Sequence, residues 1–343
     1  VEEARDSVRR LVRADPGDKI IFNSGASEGN NSVILGVFGA LSAARGGSLK
    51  GHLITSSIEH PCVLAPVKLL ADLGIDVDIV PPNPNGDVDC GSIAALIRED
   101  TKLVSIMAAN NETGVINNIA QLTRAVRERN LDTIIHTDAA QIVGKRPVDF
   151  KGLGVDFMTI SGHKLGALTG IGALVVRDDV EFNPLIVGGG QESKLRGGTE
   201  NVLGIISLNL AASDILGDGP LRFNSMQRVR DRFELEIIKA IPECSVNGSS
   251  VDRLPNTTSV YIPGVRADDL VVALDLLGVG VSSGAACSSG KPEPSHVLLA
   301  MGQEEERVRS TVRVSFRADC KEDDAVYAAM TFLSAVNKMR AGK

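Results

Sequence analysis

The sequence predicts an α/β fold, with a mostly parallel central sheet and a smaller α+β domain at the C-terminal end. Three observations carry this expectation. Short apolar runs alternate with amphipathic stretches from Lys19 to Val176, which is the rhythm of βαβ units. Polar residues gather just after the ends of those runs, where ligands sit in open parallel sheets. The rhythm then changes near Leu216-Gly217-Asp218-Gly219-Pro220. The boundary is set there, so residues 1–219 are expected to form a large domain and residues 220–343 a small one.

The first element is a helix, with Val1, Val8, Leu11 and Val12 near helical spacing, and Asp15-Pro16-Gly17-Asp18 stops it. Strands are expected at 19–22, 52–55, 76–80, 103–107, 133–136, 157–160 and 173–176, where the apolar runs fall. Helices are expected within 30–41, 63–73, 92–98 and 119–129. In the small domain a long helix at 223–241 precedes strands around 257–262 and 312–316. Val1 falls inside a helical pattern with neither Met nor signal peptide before it, so the native N-terminus is expected upstream.

Composition narrows the function classes. The 343 residues are 43% hydrophobic and 23% charged, which excludes a disordered chain. A net charge of −7 argues against a nucleic-acid footprint, and 3% aromatics without Trp argue against base stacking. No apolar run approaches the ~18 residues of a membrane span, so no membrane partner is expected. Cysteines stand at 62, 90, 244, 287 and 320 and form no C-x-x-C pair. A disulfide framework or zinc cage is therefore not expected, nor any metal. A reducing compartment is: the cytoplasm, or an organelle matrix if a transit peptide has been lost.

Reading past the strand ends locates the chemistry. After the first strand comes Asn23-Ser24-Gly25-Ala26-Ser27-Glu28; after the second come Ser56, Ser57, Glu59 and His60. Later ends carry Asn110, Asn111 and Glu112, then Asp138 and Gln141, then Ser161, Gly162, His163 and Lys164. Five such ends point to one crevice. A Gly-Ala-Ser turn opening a helix is a phosphate cradle. Lys164 could form a Schiff base with an aldehyde, and Asp138 could pair with a protonated pyridine nitrogen. Together these describe pyridoxal 5'-phosphate. Each alone has a plainer meaning: a strand-end Lys is ordinarily a solvated charge, and Asp138-Ala139-Ala140-Gln141 could be a helix cap.

These stretches, with Glu59-His60, Asn110-Asn111-Glu112-Thr113-Gly114, Gly188-Gly189-Gly190-Gln191-Glu192, Arg196-Gly197-Gly198-Thr199 and Ser282-Ser283-Gly284-Ala285-Ala286-Cys287, follow in one order along the chain. In them the sequence resembles the cysteine desulfurases, pyridoxal-phosphate-dependent transferases of fold type I in aminotransferase class V. The selenocysteine lyases are closely similar. The resemblance implies that Lys164 holds the cofactor covalently and Asp138 pairs with the ring nitrogen. Gln141 and Asn111 would lie near the ring hydroxyl, and His60 would stack on the ring and help move protons. Ala26, Ser27, Ser161 and His163 would bind the phosphate, and Thr199 would reach the phosphate of the partner subunit in a homodimer. Arg313, in Thr311-Val312-Arg313-Val314-Ser315, would grip the substrate carboxylate. Cys287 would be the nucleophile that takes sulfur from L-cysteine as a persulfide and leaves L-alanine.

The small residues around Cys287 suit an accessible thiolate. The length of the segment up to Glu293-Pro294-Ser295 resembles desulfurases that serve iron–sulfur assembly. The implied partners are therefore L-cysteine, a second copy of the chain, and a sulfur-acceptor or iron–sulfur scaffold protein. The alternatives are a selenocysteine lyase, which activity on selenocysteine but not on cysteine would select, and an aminotransferase on the same fold, which would not need Cys287.

Other signals are weaker. Gly280-Val281-Ser282-Ser283-Gly284 matches a hydrolase elbow, but the only His downstream is His296. Gly284 and Gly290-Lys291 are spaced too widely for a P-loop, and Pro292 replaces the hydroxyl residue. His52, His136 and His296 read as histidines with local partners. Cys62, Cys90, Cys244 and Cys320 read as structural or surface thiols; Cys62, two residues after His60, keeps a small chance of lying near the cofactor.

Overall fold

The computed structural model describes residues 1–39, 49–284 and 293–341. They divide into two compact units. The first comprises 1–80, 88–109 and 117–218, and the second 81–87, 110–116 and 219–343. The chain thus leaves the first unit at Asp218, and two short excursions from it belong to the second. Backbone bonds seat the second excursion there: Ile116 N–H donates to the Asp252 carbonyl, and Leu254 N–H to that of Gly114.

The first unit begins with α1 (Glu2–Leu11), acidic in its first turn and basic in its last, in agreement with the helix dipole. Then come β1 (Lys19–Asn23), α2 (Ala26–Val37), β2 (His52–Ser56), α3 (Pro61–Asp72) and β3 (Asp76–Val80). α4 (Cys90–Ala95), β4 (Thr101–Ser105), α5 (Ile119–Arg127), β5 (Ile134–Asp138) and α6 (Phe150–Leu153) follow. β6 (Phe157–Ser161), α7 (Gly162–Leu165) and β7 (Gly172–Val176) complete the sheet.

Its order is β1-β7-β6-β5-β4-β2-β3. β3, β2, β4, β5 and β6 are parallel; β7 runs antiparallel to both β6 and β1. The reversal has a simple cause. Only 162–171 separate β6 from β7, too few for the crossover that a parallel neighbour requires. β2, β6 and β7 are buried along their whole length, as strands covered on both faces must be, whereas β3 is the exposed edge.

α8 (Val202–Ala240) is longer than the helix expected at 223–241 and bends at Gly219, whose φ of 50° and ψ of −139° are not helical. Its first part corrects one expectation. Val202–Gly219 has a mean hydropathy of 1.3 over 18 residues, long and apolar enough by composition to match a span. One face of it, with Ile205, Leu208, Ala212 and Ile215, is buried within the first unit, while Leu203 and Leu210 are exposed.

The second unit carries β8 (Ser245–Val246), β9 (Thr257–Tyr261), α9 (Ala267–Asp275), α10 (His296–Ala300), α11 (Glu305–Val308), β10 (Thr311–Ser315) and α12 (Glu322–Ala341). β10, β9 and β8 form an antiparallel sheet. Phe233 packs edge-on against Phe316 and Phe332 in the core of this unit.

Candidate active site

Asp138 is the last residue of β5, and its side chain is buried. Oδ1 accepts from Ala140 N–H at 2.9 Å, and Oδ2 accepts from Asn30 Nδ2 at 2.7 Å. Burial pushes this carboxyl above its usual range, against the pull of the Ala140 and Asn30 hydrogen bonds. A carboxylate so placed gains most from a cation brought to it. Asn30, on α2, is fully buried, and its Oδ1 has no hydrogen-bond partner among the described residues. Sequence reasoning passed over Asn30; its only signal is that it lies one helical turn beyond Ala26, on the helix that opens the cradle.

The cradle is built where β1 turns into α2. Gly25 caps α2 at φ 145°, a backbone unfavourable for other residues, with no side chain bonded to the helix end. The first-turn N–H groups and the helix dipole therefore offer an anion site, with Ala26 and the exposed Ser27 at its mouth. Gly172, at the start of β7, lets the turn close up: a Cβ there would lie 2.7 Å from the Gly25 Cα and 2.6 Å from the Ile160 carbonyl oxygen.

At the end of β6, Ser161 Oγ is 2.9 Å from His163 Nδ1. His163 and Lys164 are exposed on α7. Partial burial, then the charges of Lys164 and Lys145, hold His163 below its ordinary pKa. Lys145 Nζ donates to Gln141 Oε1 at 2.9 Å. The cradle thus carries two lysine charges near His163, of which sequence reading singled out one.

His60 is the N-cap of α3, its Nδ1 accepting from Cys62 N–H at 3.2 Å. The Cys62 sulfur lies 2.9 Å from the same nitrogen and accepts from Asn30 Nδ2 at 3.1 Å. Cys62 is therefore not the structural or surface thiol expected but part of the site. His52 and His136 have the local partners expected of them. His52 meets Thr101 and Asp78, and His136 meets Ser105 and Thr159.

The segment that carries Thr199 is fixed to the first unit at two points. Glu192, Ser193 and Lys194 all have positive φ, at 44°, 58° and 66°, a costly run for residues with side chains. The buried Glu192 carboxylate offsets that cost by accepting from Phe22 N–H at 2.9 Å and from Arg5 Nη1 at 2.9 Å. Arg196 then pairs with Glu28 at 3.0 Å. Burial works to raise Glu28, but hydrogen bonds from Arg196 and Ser24 and the Arg196 charge overcome it and leave the carboxyl below its usual range. Thr199 itself is exposed.

Asn111 and Arg313 belong to the second unit, where Arg313 Nη1 donates to the Asn111 carbonyl at 3.0 Å. The Arg313 backbone exchanges hydrogen bonds with Ser282 at 2.7 and 3.0 Å. Cys287 lies outside the described residues.

The residues of the first unit fit pyridoxal phosphate. It holds a helix end with no side-chain cap, an exposed lysine, a buried carboxylate in want of a cation, and a buried amide oxygen without a partner among the described residues.

Comparison with known proteins agrees. The family model for aminotransferase class V matches residues 1–326. The chain is 41% identical over 315 residues to a cysteine desulfurase of Nostoc sp., an alignment covering 92% of this chain and 76% of that protein. Among solved structures, a NifS-like protein superposes with a TM-score of 0.88 at 32% identity, covering 100% of this chain and 87% of the other. SspA in complex with cysteine superposes with a TM-score of 0.77 at 35% identity, covering 92% and 85%.

Proposed function

The chain belongs to the class-V aminotransferases and, within them, to the pyridoxal-phosphate-dependent cysteine desulfurases; from that premise we propose that it desulfurates L-cysteine to L-alanine, with Cys287 receiving the sulfur. The observation that carries the reading is Asp138. It is a buried carboxylate at a strand end, held by the Asn30 amide and the Ala140 N–H.

When bound, pyridoxal phosphate supplies an aldehyde that takes up the substrate amine and a cationic ring that withdraws electrons from Cα. Lys164 is proposed to hold that aldehyde between turnovers. Asp138 keeps the ring nitrogen protonated, and the first turn of α2, with Ser27, Ser161 and His163, binds the phosphate. Gln141 and Asn111 are proposed to face the ring hydroxyl. His60 takes a proton from the substrate and returns it. Arg313 grips the substrate carboxylate through its planar fork, steadied by the Asn111 carbonyl. The Cys287 thiolate attacks the substrate sulfur, so that an S–S bond forms as the Cβ–S bond breaks. The carbon left behind is protonated and departs as alanine.

A homodimer is proposed, in which Thr199 serves the partner's phosphate. A sulfur acceptor, such as an iron–sulfur scaffold protein, is proposed to discharge Cys287. Among the described residues, Cys62, Cys90, Cys244 and Cys320 form no disulfide, and a reducing compartment such as the cytoplasm is proposed.

The test is incubation with pyridoxal phosphate and L-cysteine, followed by alanine assay and mass spectrometry of the cysteine peptides. Alanine should form, with one sulfur added at Cys287, and Cys287→Ser should carry no persulfide. Sulfur added at Cys320 with Cys287 unmodified would overturn the assignment.

A further inference from the structure

The sulfur chemistry proposed above uses Cys287 and leaves Cys62 without a part, although Cys62 touches three residues of the cofactor site. Its sulfur lies 2.9 Å from His60 Nδ1 and 3.1 Å from Asn30 Nδ2, and the Ser27 hydroxyl bonds to its side chain. The directions of these bonds can be worked out. Cys62 N–H points at His60 Nδ1 from 3.2 Å, so that nitrogen is an acceptor and the ring proton is on Nε2. A thiolate 2.9 Å away would set lone pair against lone pair, so the sulfur keeps its hydrogen and donates it. Burial, with the Asp138 charge adding to it, pushes the Cys62 thiol up to about 11, which agrees.

Asn30 supplies the other end. Its amide nitrogen has two hydrogens and two acceptors, Asp138 Oδ2 at 2.7 Å and Cys62 Sγ. Donation therefore runs one way from Asn30, to Asp138 on one side and through Cys62 to His60 on the other.

We infer that Cys62 is a positioning residue for His60: its thiol fixes the rotation of the imidazole and holds it as the Nε2–H tautomer, and Asn30 links that thiol to Asp138. This deepens the proposed function and rests on it for the part played by His60. Without the thiol, the ring would lose its 2.9 Å contact at Nδ1 and keep there the longer 3.2 Å backbone bond, at the long end of the hydrogen-bond range.

The experiment uses cofactor-loaded protein labelled with [15N]histidine. The chain has five histidines, and His60→Gln assigns the His60 signals. Wild type should show the shifts of a neutral Nε2–H ring. Cys62→Ala should move them toward a tautomer mixture and lower kcat by ~10-fold with little change in KM, the scale of one lost hydrogen bond. Cys62→Ser keeps a donor and should restore the shifts. A residue that only fills space would leave them unmoved. His60 shifts identical in wild type and Cys62→Ala, or an Nδ1–H ring in wild type, would overturn the assignment. The shifts decide the matter whether or not alanine is formed, so failure of desulfuration and failure of this inference are separable.

Discussion

Glu59 immediately precedes His60 and is fully buried, its Oε1 accepting from Ser56 Oγ at 2.6 Å and from Met107 N–H at 2.9 Å. Burial pushes its pKa up to about 8; the bonds from Ser56 and Met107 pull it back, and the Asp138 charge raises it further. The folded state thus keeps a proton that the unfolded chain gives up near 4.5. Between those values the native state binds more protons, so Glu59 costs stability progressively as pH rises through the window. His136 works in the opposite direction. Burial lowers its pKa to about 3, so its contribution is lost as pH falls below 6.5. Glu59→Gln retains an acceptor for Ser56 and Met107 and removes the titration. Urea midpoints at about pH 5 and about pH 8.5 should show the variant gaining more than ~1 kcal/mol on wild type at the higher pH, since one pKa unit is about 1.4 kcal/mol. Equal pH profiles for the two proteins would contradict the argument. Asp138, Lys164 and His60 were legible because each follows an apolar run and has a chemistry of its own. Asn30 was not, because its part depends on Asp138, 108 positions away, and on a sulfur whose direction only the fold reveals.

At the scale of elements, the meeting of β6, β7 and α2 governs the cradle. A Cβ on Gly172 would lie within 2.8 Å of the Ile160 carbonyl, the Gly25 Cα and the Asn23 side chain, two of which are backbone and cannot swing aside. Gly172→Ala should therefore lower stability by ~1–3 kcal/mol, the usual cost of overpacking, and weaken cofactor binding by spreading the turn. A urea midpoint and a cofactor titration equal to wild type would refute this. The strands of this sheet were legible because parallel strands covered on both faces are continuous apolar runs. Among the helices longer than ten residues, α12 and the first part of α8 were not. α12 buries Ala325, Ala328, Ala329 and Ala335 beside only Phe332 and Val336, and alanine gives a faint hydrophobic stripe. The first part of α8 blurs its period in the other direction, with Leu203, Ile206 and Leu210 exposed around the buried Ile205 and Leu208.

That excess of exposed apolar surface bears on the whole molecule. Leu203 and Leu210 are 74% and 66% exposed, and Val202 and Ile206 are about half exposed beside them. Fully burying such side chains contributes ~1.5–3 kcal/mol each, which favours covering this face with another protein surface. A second copy is the proposed occupant, since it would also account for Thr199. That residue is exposed three positions before this helix, on a loop held by Arg196–Glu28 and Arg5–Glu192. If Thr199 binds the partner's phosphate, each site draws on two chains, and two different defects can be sorted between sites. Co-expression of a Lys164→Ala chain with a Thr199→Ala chain places both defects in one site of the mixed dimer and neither in the other. With random pairing, half the dimers are mixed, so about a quarter of all sites should be intact. Alanine formation should then exceed that of either variant alone, and sedimentation should show dimers. If Thr199 served its own chain, every site would carry one defect and co-expression would restore nothing; an active monomer would exclude the shared site altogether.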